Sequence, residues 1–262
     1  MITEIEPVSW QDLQNQVARI LADCGFTVKV EKIVKAARGE VEIDVYADET
    51  IQGRHYTTLC ECKYWQQAVP QAVIHSFRTV ISNIGAHKGY IISKSGFQSG
   101  SFSAAELTNI ELVTWEQFQA AFEKSWLENH FSPYLTKRLD ALLTYTEPFV
   151  PKWFHDLPEE DQKAFLSLKE KYDLFGWFMM DLTTYNRMLI KRGFPKLPLA
   201  THKDTNEKPS SMPYEMMLKF VPRNITKARG YRELLDLCIA YGEQVTLEFR
   251  AIRDKHGFKG GE

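Results

Sequence analysis

The sequence predicts an α/β domain over residues 1–125 followed by a mostly helical domain over residues 126–262. Three observations carry this. Between Phe26 and Lys63, runs of apolar residues alternate with polar ones at the period of half-buried strands. Two more β-prone runs, Gly89 to Ser93 and Ile110 to Thr114, are set apart by stretches with helical spacing. Past residue 126 the alternation stops and apolar residues recur at helical intervals. A three-strand meander followed by β-α-β units implies a mixed sheet with helices on its faces.

Each element has a local reason. Ser9 suits an N-cap, and Leu13, Val17, Ile20 and Leu21 then recur on one helical side until Cys24-Gly25, where glycine suits a C-cap. Phe26 to Val34 alternates as a strand, and Ala36 to Gly39 is a turn. Val41 to Tyr46 is the next strand, with Val41, Ile43 and Val45 expected on one face and Glu42, Asp44 and Tyr46 on the other. A hairpin turn over Asp48 to Gly53 leads into a strand from His55 to Lys63. Pro70 opens a helix to Asn83 whose apolar side is Val73, Ile74, Phe77, Val80 and Ile81. Gly89 to Ser93 is a strand, Ser103 to Leu107 a helix, Ile110 to Thr114 a strand, and Trp115 begins a long amphipathic helix. The second half predicts helices over Ser132 to Tyr145, Pro158 to Tyr172, Phe175 to Arg192 and Tyr231 to Lys255, with a proline-spaced loop across 195–213. Gln244 to Phe249 fits either helix or strand.

With 262 residues and 44% hydrophobic content, the chain can bury the cores of two domains. A net charge of -2 gives no global attraction to nucleic acid or to an anionic membrane. A nucleic-acid enzyme of this balance must collect positive charge locally. Two clusters offer it: Lys29, Lys32, Lys35 and Arg38, and Arg223, Lys227, Arg229 and Arg232, each also readable as a solvated surface. The four cysteines, Cys24, Cys60, Cys62 and Cys238, form no C-x-x-C pair and read as reduced core thiols rather than zinc ligands. The acidic N-terminus is unlike a signal peptide, and no apolar run approaches the roughly 20 residues of a membrane span, so the expected location is the cytoplasm with no membrane partner.

One constellation commits to a chemistry. Asp44 ends one strand's apolar run, and Glu61-Cys62-Lys63 ends the next. Period two puts Glu61 and Lys63 on one face of the strand and Cys60 and Cys62 on the other. Hydrolysis of a phosphodiester needs an in-line water and relief of the charge that builds on phosphorus. Magnesium suits both, and prefers hard oxygen ligands, taking one or two carboxylates from the protein and the rest from water and phosphate. Asp44 and Glu61 can be those carboxylates if their strands are neighbours, with the backbone carbonyl of Cys62 a further oxygen. Lys63 can then hold the attacking water and offset the growing negative charge. The competing reading is a surface Glu/Lys pair with an aspartate opposite.

The stretch Arg38-Gly-Glu-Val-Glu-Ile-Asp44, with Glu61-Cys-Lys63-Tyr-Trp65, resembles the PD-(D/E)xK restriction-endonuclease-like superfamily, and within it the Mrr-type branch of type IV restriction nucleases. The likeness continues through Val69 and Val73 to Phe77, Ile84 to Ser93, Ser95 to Gln98, Asn109 to Leu112 and Thr114 to Phe118. It implies a restriction-endonuclease-like mixed sheet over about the first half of the chain. It also implies a Mg²⁺-dependent DNA endonuclease, with Mn²⁺ as a substitute, acting in restriction or phage defence, with Asp44, Glu61 and Lys63 as the catalytic set. The expected partners are duplex DNA, a second copy of the chain in a homodimer or higher homo-oligomer, and a defence-system protein. Two-fold symmetry is the simplest way to cut both strands with one site per chain. The helical half would serve recognition, regulation or oligomerisation. An RNA endonuclease using the same residues and a non-catalytic nucleic-acid-binding module are the alternatives. One departure stands out: where the family often carries a glutamate in the first helix, this chain has Leu13-Gln14, leaving Gln14 as a neutral accessory candidate and Glu42 as a substitute acid.

The remaining candidates flank the motif. Gln71, in the first turn of the helix after it, is either a phosphate contact or a solvated residue. Arg78 shares a helical side with His75 and is a candidate DNA contact. Lys94 and Ser95, in the loop Ser93 to Gln98, could hold a phosphate with the backbone amides there, or belong to a plain β-α loop. Trp153, Phe154, Tyr172, Phe175, Trp177 and Phe178 read as helical core rather than a base-stacking platform.

Overall fold

Ser9 caps the first helix: its hydroxyl accepts the N–H of Asp12 at 3.1 Å, and α1 runs over Trp10–Asp23 with Leu13, Val17, Ile20 and Leu21 buried. This is a computed structural model, and it describes residues 1–36, 39–184, 194–201 and 214–258. Arg38 of the first basic cluster, the end of the helix expected over Phe175 to Arg192, and most of the proline-spaced loop lie outside the described residues. The chain folds into two compact units, Met1–His130 and Phe131–Glu262.

The first unit holds a five-stranded sheet in the order β1-β2-β3-β4-β5. The strands are β1 (Thr27–Ala36), β2 (Gly39–Ile51), β3 (Arg54–Lys63), β4 (Lys88–Ser93) and β5 (Ile110–Thr114). β1, β2 and β3 are antiparallel neighbours, whereas β3, β4 and β5 run parallel. The helices are α2 (Gln71–Ile84), α3 (Ser99–Ala105) and α4 (Trp115–Trp126). This is the expected mixed sheet, with short crossovers carrying the parallel half.

Two local differences from the sequence reading have plain causes. The hairpin tightens to Gln52-Gly53, because both residues take positive φ (49° and 79°), the geometry that lets a two-residue turn continue the twist of its strands. The ladder therefore runs on to Ile51↔Arg54. α3 begins at Ser99, not Ser103. Ser101 is buried and donates to the carbonyl of Val69 at 2.7 Å, fixing the first turn, while Leu107 (φ 57°) is fully exposed and lies past the helix.

The sheet is covered on both faces. α1 packs on β1, β2 and β3, and α4 on β4 and β5, where Tyr90, Phe118 and Phe122 meet edge to face or tilted. A full capping box, Thr114 with Gln117, starts α4 where β5 ends. On the other side Ile74, Phe77 and Ile81 of α2 pack with Ile43, Leu59 and Ile91. Each such side chain contributes about 1.5–3 kcal/mol on burial. α2 lies close because β4 offers Gly89: a Cβ there would stand 2.8 Å from Ile81 Cδ1 and 2.9 Å from Phe77 Cε1.

The second unit is helical among its described residues. Its long helices are α5 (Ser132–Thr146), α6 (Glu159–Leu182) and α7 (Tyr231–Lys255), with short turns at Tyr214–Leu218 and Arg223–Thr226. Gln244 to Phe249 is helix. α6 is continuous across residues 173 and 174, where the sequence suggested two helices. Gly176 does not break it: a Cβ at Gly176 would sit 2.0 Å from Thr146 Oγ1, so the glycine lets α6 meet α5. Tyr145, Phe165 and Phe249 are fully buried between the three helices. Trp153, Phe154, Tyr172, Phe175 and Phe178 are core, and Trp177 is exposed.

Candidate active site

Asp44 stands where β2 parts from β3. Their ladder runs from Ile51↔Arg54 to Val45↔Cys60 and ends there. The β1–β2 ladder is interrupted at the same point: Val30↔Val45 and Lys32↔Ile43 pair, but Glu31 and Asp44 do not, and Glu31 takes φ 50°. Past this interruption the side chains change sides. Val41, Ile43 and Tyr46 all pack against the core beneath α2, which strict alternation forbids. The face assignment read from the sequence for β2 is therefore corrected: it fails at Asp44, where the β1–β2 pairing skips one pair and Glu31 takes a positive φ.

The parting leaves the N–H of Cys62 facing a gap. Asp44 fills it: its Oδ2 accepts that N–H at 2.7 Å. In an extended strand a residue's N–H and C=O point to the same side, so the Cys62 carbonyl faces the same gap, beyond the last β2–β3 pair. Next along β3, the Lys63 ammonium contacts the Glu61 carboxylate, with 17% and 23% of those side chains exposed. Burial holds the Glu61 carboxyl above its usual range, the charge of Asp44 raises it further, and Lys63 opposes both. The two acids thus repel each other, and Lys63 offsets that only in part.

That donor set fits a divalent cation of the Mg²⁺ kind. The Asp44 and Glu61 carboxylates and the Cys62 carbonyl are all hard oxygens, and the repulsion between the two acids, which Lys63 offsets only in part, is what such an ion relieves. The Cys60 and Cys62 thiols are buried and their pKa values are pushed upward, chiefly by burial, so neither is a thiolate ligand. Among the described residues no group of three or more His, Cys, Asp or Glu is placed to hold a metal. A site here would leave most of the coordination to water and substrate.

Glu61 and Lys63 open into a cleft of about 290 Å³ between the parted end of β2 and α2. Glu42 lines it, and so do Ser76, which the sequence reading passed over, and Trp65, which it named only within the motif stretch. Ser76 could have been found from its helical phase with Val73, Phe77 and Val80; Trp65 only from its place directly after the motif. Gln71, His75 and Arg78 are exposed and, at 100° per residue, fall on the opposite side of α2 from the lining residues. Gln71 instead lies against α3, its Oε1 2.8 Å from where a Gly100 Cβ would be. Gln14 is 4% exposed, on the apolar side of α1.

The loop after β4 is tied to the motif. The Lys94 N–H donates to the Lys63 carbonyl at 3.0 Å, and the Lys94 ammonium lies 4.0 Å from the Tyr64 ring centroid. The Ser95 hydroxyl is committed to the Trp65 carbonyl at 2.6 Å. In the first basic cluster Lys29 and Lys35 are exposed and Lys32 sits 3.1 Å above the Tyr46 ring. In the second, Arg223, Lys227 and Arg229 are exposed but Arg232 is buried, so it does not belong to a phosphate-facing surface.

A mixed sheet whose second strand parts to present an aspartate beside a Glu-x-Lys on the third defines the PD-(D/E)xK class of nuclease folds. More narrowly, residues 5–122 match the Mrr catalytic family, described as restriction endonuclease. No curated protein matches the chain. A solved structure titled "Crystal Structure of Protein of Unknown Function AF1548" aligns over 91% of this chain and 98% of its own at 15% identity, with a TM-score of 0.37, a likeness too loose to bear on function. Among the described residues no helix is long and apolar enough to cross a membrane.

Proposed function

We propose that the first unit is a Mg²⁺-dependent endonuclease that hydrolyses DNA, in restriction or phage defence, in the cytoplasm. The observation that carries this reading is the bond from the Cys62 amide to Asp44, which fixes one carboxylate against the strand bearing Glu61 and Lys63. Asp44, Glu61 and the Cys62 carbonyl would hold the ion. When bound, Mg²⁺ supplies Lewis acidity toward the phosphate and lowers the pKa of water in its shell. The chain's own groups do the rest. Asp44 keeps its place through the backbone and needs no rearrangement. The Lys63 ammonium, which contacts Glu61 in this structure, would hold the nucleophilic water and face the phosphate oxygens as their charge grows. Glu42, on the rim of the cleft, is the candidate for the accessory acid that Gln14 cannot be. A homodimer would cut both strands, and the helical unit would serve recognition, regulation or contact with a defence partner.

The test is cleavage of plasmid DNA by the full chain with Mg²⁺ and with chelator, beside Lys63→Ala, with RNA of matched sequence as a second substrate. Metal-dependent cutting of DNA that Lys63→Ala abolishes is the expected result. Undiminished cutting by Lys63→Ala removes the site assignment, and cutting of RNA alone replaces DNA as substrate.

A further inference from the structure

The cleft contains one large aromatic ring left half in solvent. Trp65 lies two residues past Lys63, lines the same cleft and is 43% exposed. Its neighbours are occupied: the Tyr64 ring carries the Lys94 ammonium, and Phe77 is buried under α2. The backbone beneath Trp65 is held at both ends, by the Lys94 N–H on the Lys63 carbonyl and by the Ser95 hydroxyl on the Trp65 carbonyl. An exposed indole on a pinned segment has little ordering cost left to meet when a ligand arrives. Val41, Ile43, Val73 and Val80 give the cleft apolar walls, beside the polar Glu42 and Ser76. A sugar-phosphate backbone has nothing to offer such walls, whereas an unstacked nucleobase has a flat apolar face. The Lys63 ammonium lies over the Trp65 ring, 5.2 Å from its centroid, so a base would stack on the ring's other face, beside the phosphate that Lys63 faces.

We propose that Trp65 is a stacking platform for an unpaired DNA base next to the phosphate that Lys63 faces, so that this cleft takes single-stranded or locally opened DNA. The proposal rests on the nuclease reading for its choice of ligand, but its test does not require cleavage. The full chain is titrated, with Ca²⁺ in place of Mg²⁺, against a short fluorescein-labelled thymidine oligonucleotide and an abasic strand of the same length. Trp65→Ala should weaken binding to the thymidine strand about 5- to 150-fold, the loss of one base–aromatic stack, and should change binding to the abasic strand little. Trp65→Phe should keep most of the affinity, while the quenching of tryptophan emission by the unlabelled thymidine strand largely disappears. Affinity unchanged in Trp65→Ala, an equal loss on both strands, or full quenching persisting in Trp65→Phe each overturns the proposal; the quenching arm decides if Trp65→Ala fails to fold. A chain that binds through Trp65 but cuts nothing refutes the nuclease reading alone. One that cuts through Lys63 with normal Trp65→Ala binding refutes the stacking platform alone.

Discussion

Replacing Asp44 separates its structural role from its chemical one. Its carboxylate repels Glu61 and also accepts the Cys62 N–H at 2.7 Å where the β2–β3 ladder has ended. Both Asp44→Asn and Asp44→Ala remove the charge, so both relieve the repulsion. Only Asp44→Asn retains an acceptor for the amide. The stability difference between the two variants therefore isolates one hydrogen bond: a backbone N–H left unsatisfied in a mostly buried strand costs about 1–3 kcal/mol. At about 4 °C per kcal/mol for a unit of this size, Asp44→Ala should unfold roughly 4–12 °C below Asp44→Asn. Calorimetry of the full chain measures this, and both variants should fail to cut DNA. Equal melting of the two would refute the idea that Asp44 substitutes for a ladder carbonyl, and with it the account of how the aspartate is positioned.

Other outcomes follow from the same structure. Because the folded environment raises the Glu61 carboxyl above its usual 4.5, ionised Glu61 costs stability, an advantage of the folded state that is full at low pH and lost as pH rises through the raised value. Glu61→Gln should therefore melt above the wild type at neutral pH, with the gap closing near pH 4.5, while cleavage is lost. Glu31→Gly should stabilise by about 0.5–1 kcal/mol in a denaturant titration, since a non-glycine residue at φ 50° bears a left-handed penalty that glycine lacks. Gly176→Ala should cost the second unit about 1–3 kcal/mol or more, because its Cβ would meet Thr146 Cβ at 2.4 Å and a branched side chain's root cannot rotate away. Unchanged denaturation of Gly176→Ala would show that α5 and α6 do not meet there.

Much of the first unit was legible because local signals and tertiary structure agree. Ser9 caps, Pro70 precedes α2, and β5 and α7 have the bounds that their sequence patterns suggest. The Glu61/Lys63 face followed from period two alone, with Cys60 and Cys62 buried behind it. What escaped depends on contacts between distant segments. No pattern in Val41 to Tyr46 signals that β2 parts from β3 at Asp44, where the pairing with β1 also skips Glu31, because both are contacts with other strands. Nothing local in the sequence shows why α6 carries Gly176, because its reason, Thr146 on a neighbouring helix, lies 30 positions away. Trp65 read as part of a motif and not as a cleft wall because the cleft is formed with α2 and β2, and its backbone is held by Ser95 from the loop after β4.

A crystal structure of the chain grown with Mn²⁺, with anomalous difference density, tests the site most directly. One peak within coordination distance of the Asp44 and Glu61 carboxylates and the Cys62 carbonyl, with the Lys63 ammonium turned off Glu61, is the predicted result. A chain that cuts DNA while its manganese binds elsewhere, with Lys63 still on Glu61, would contradict it.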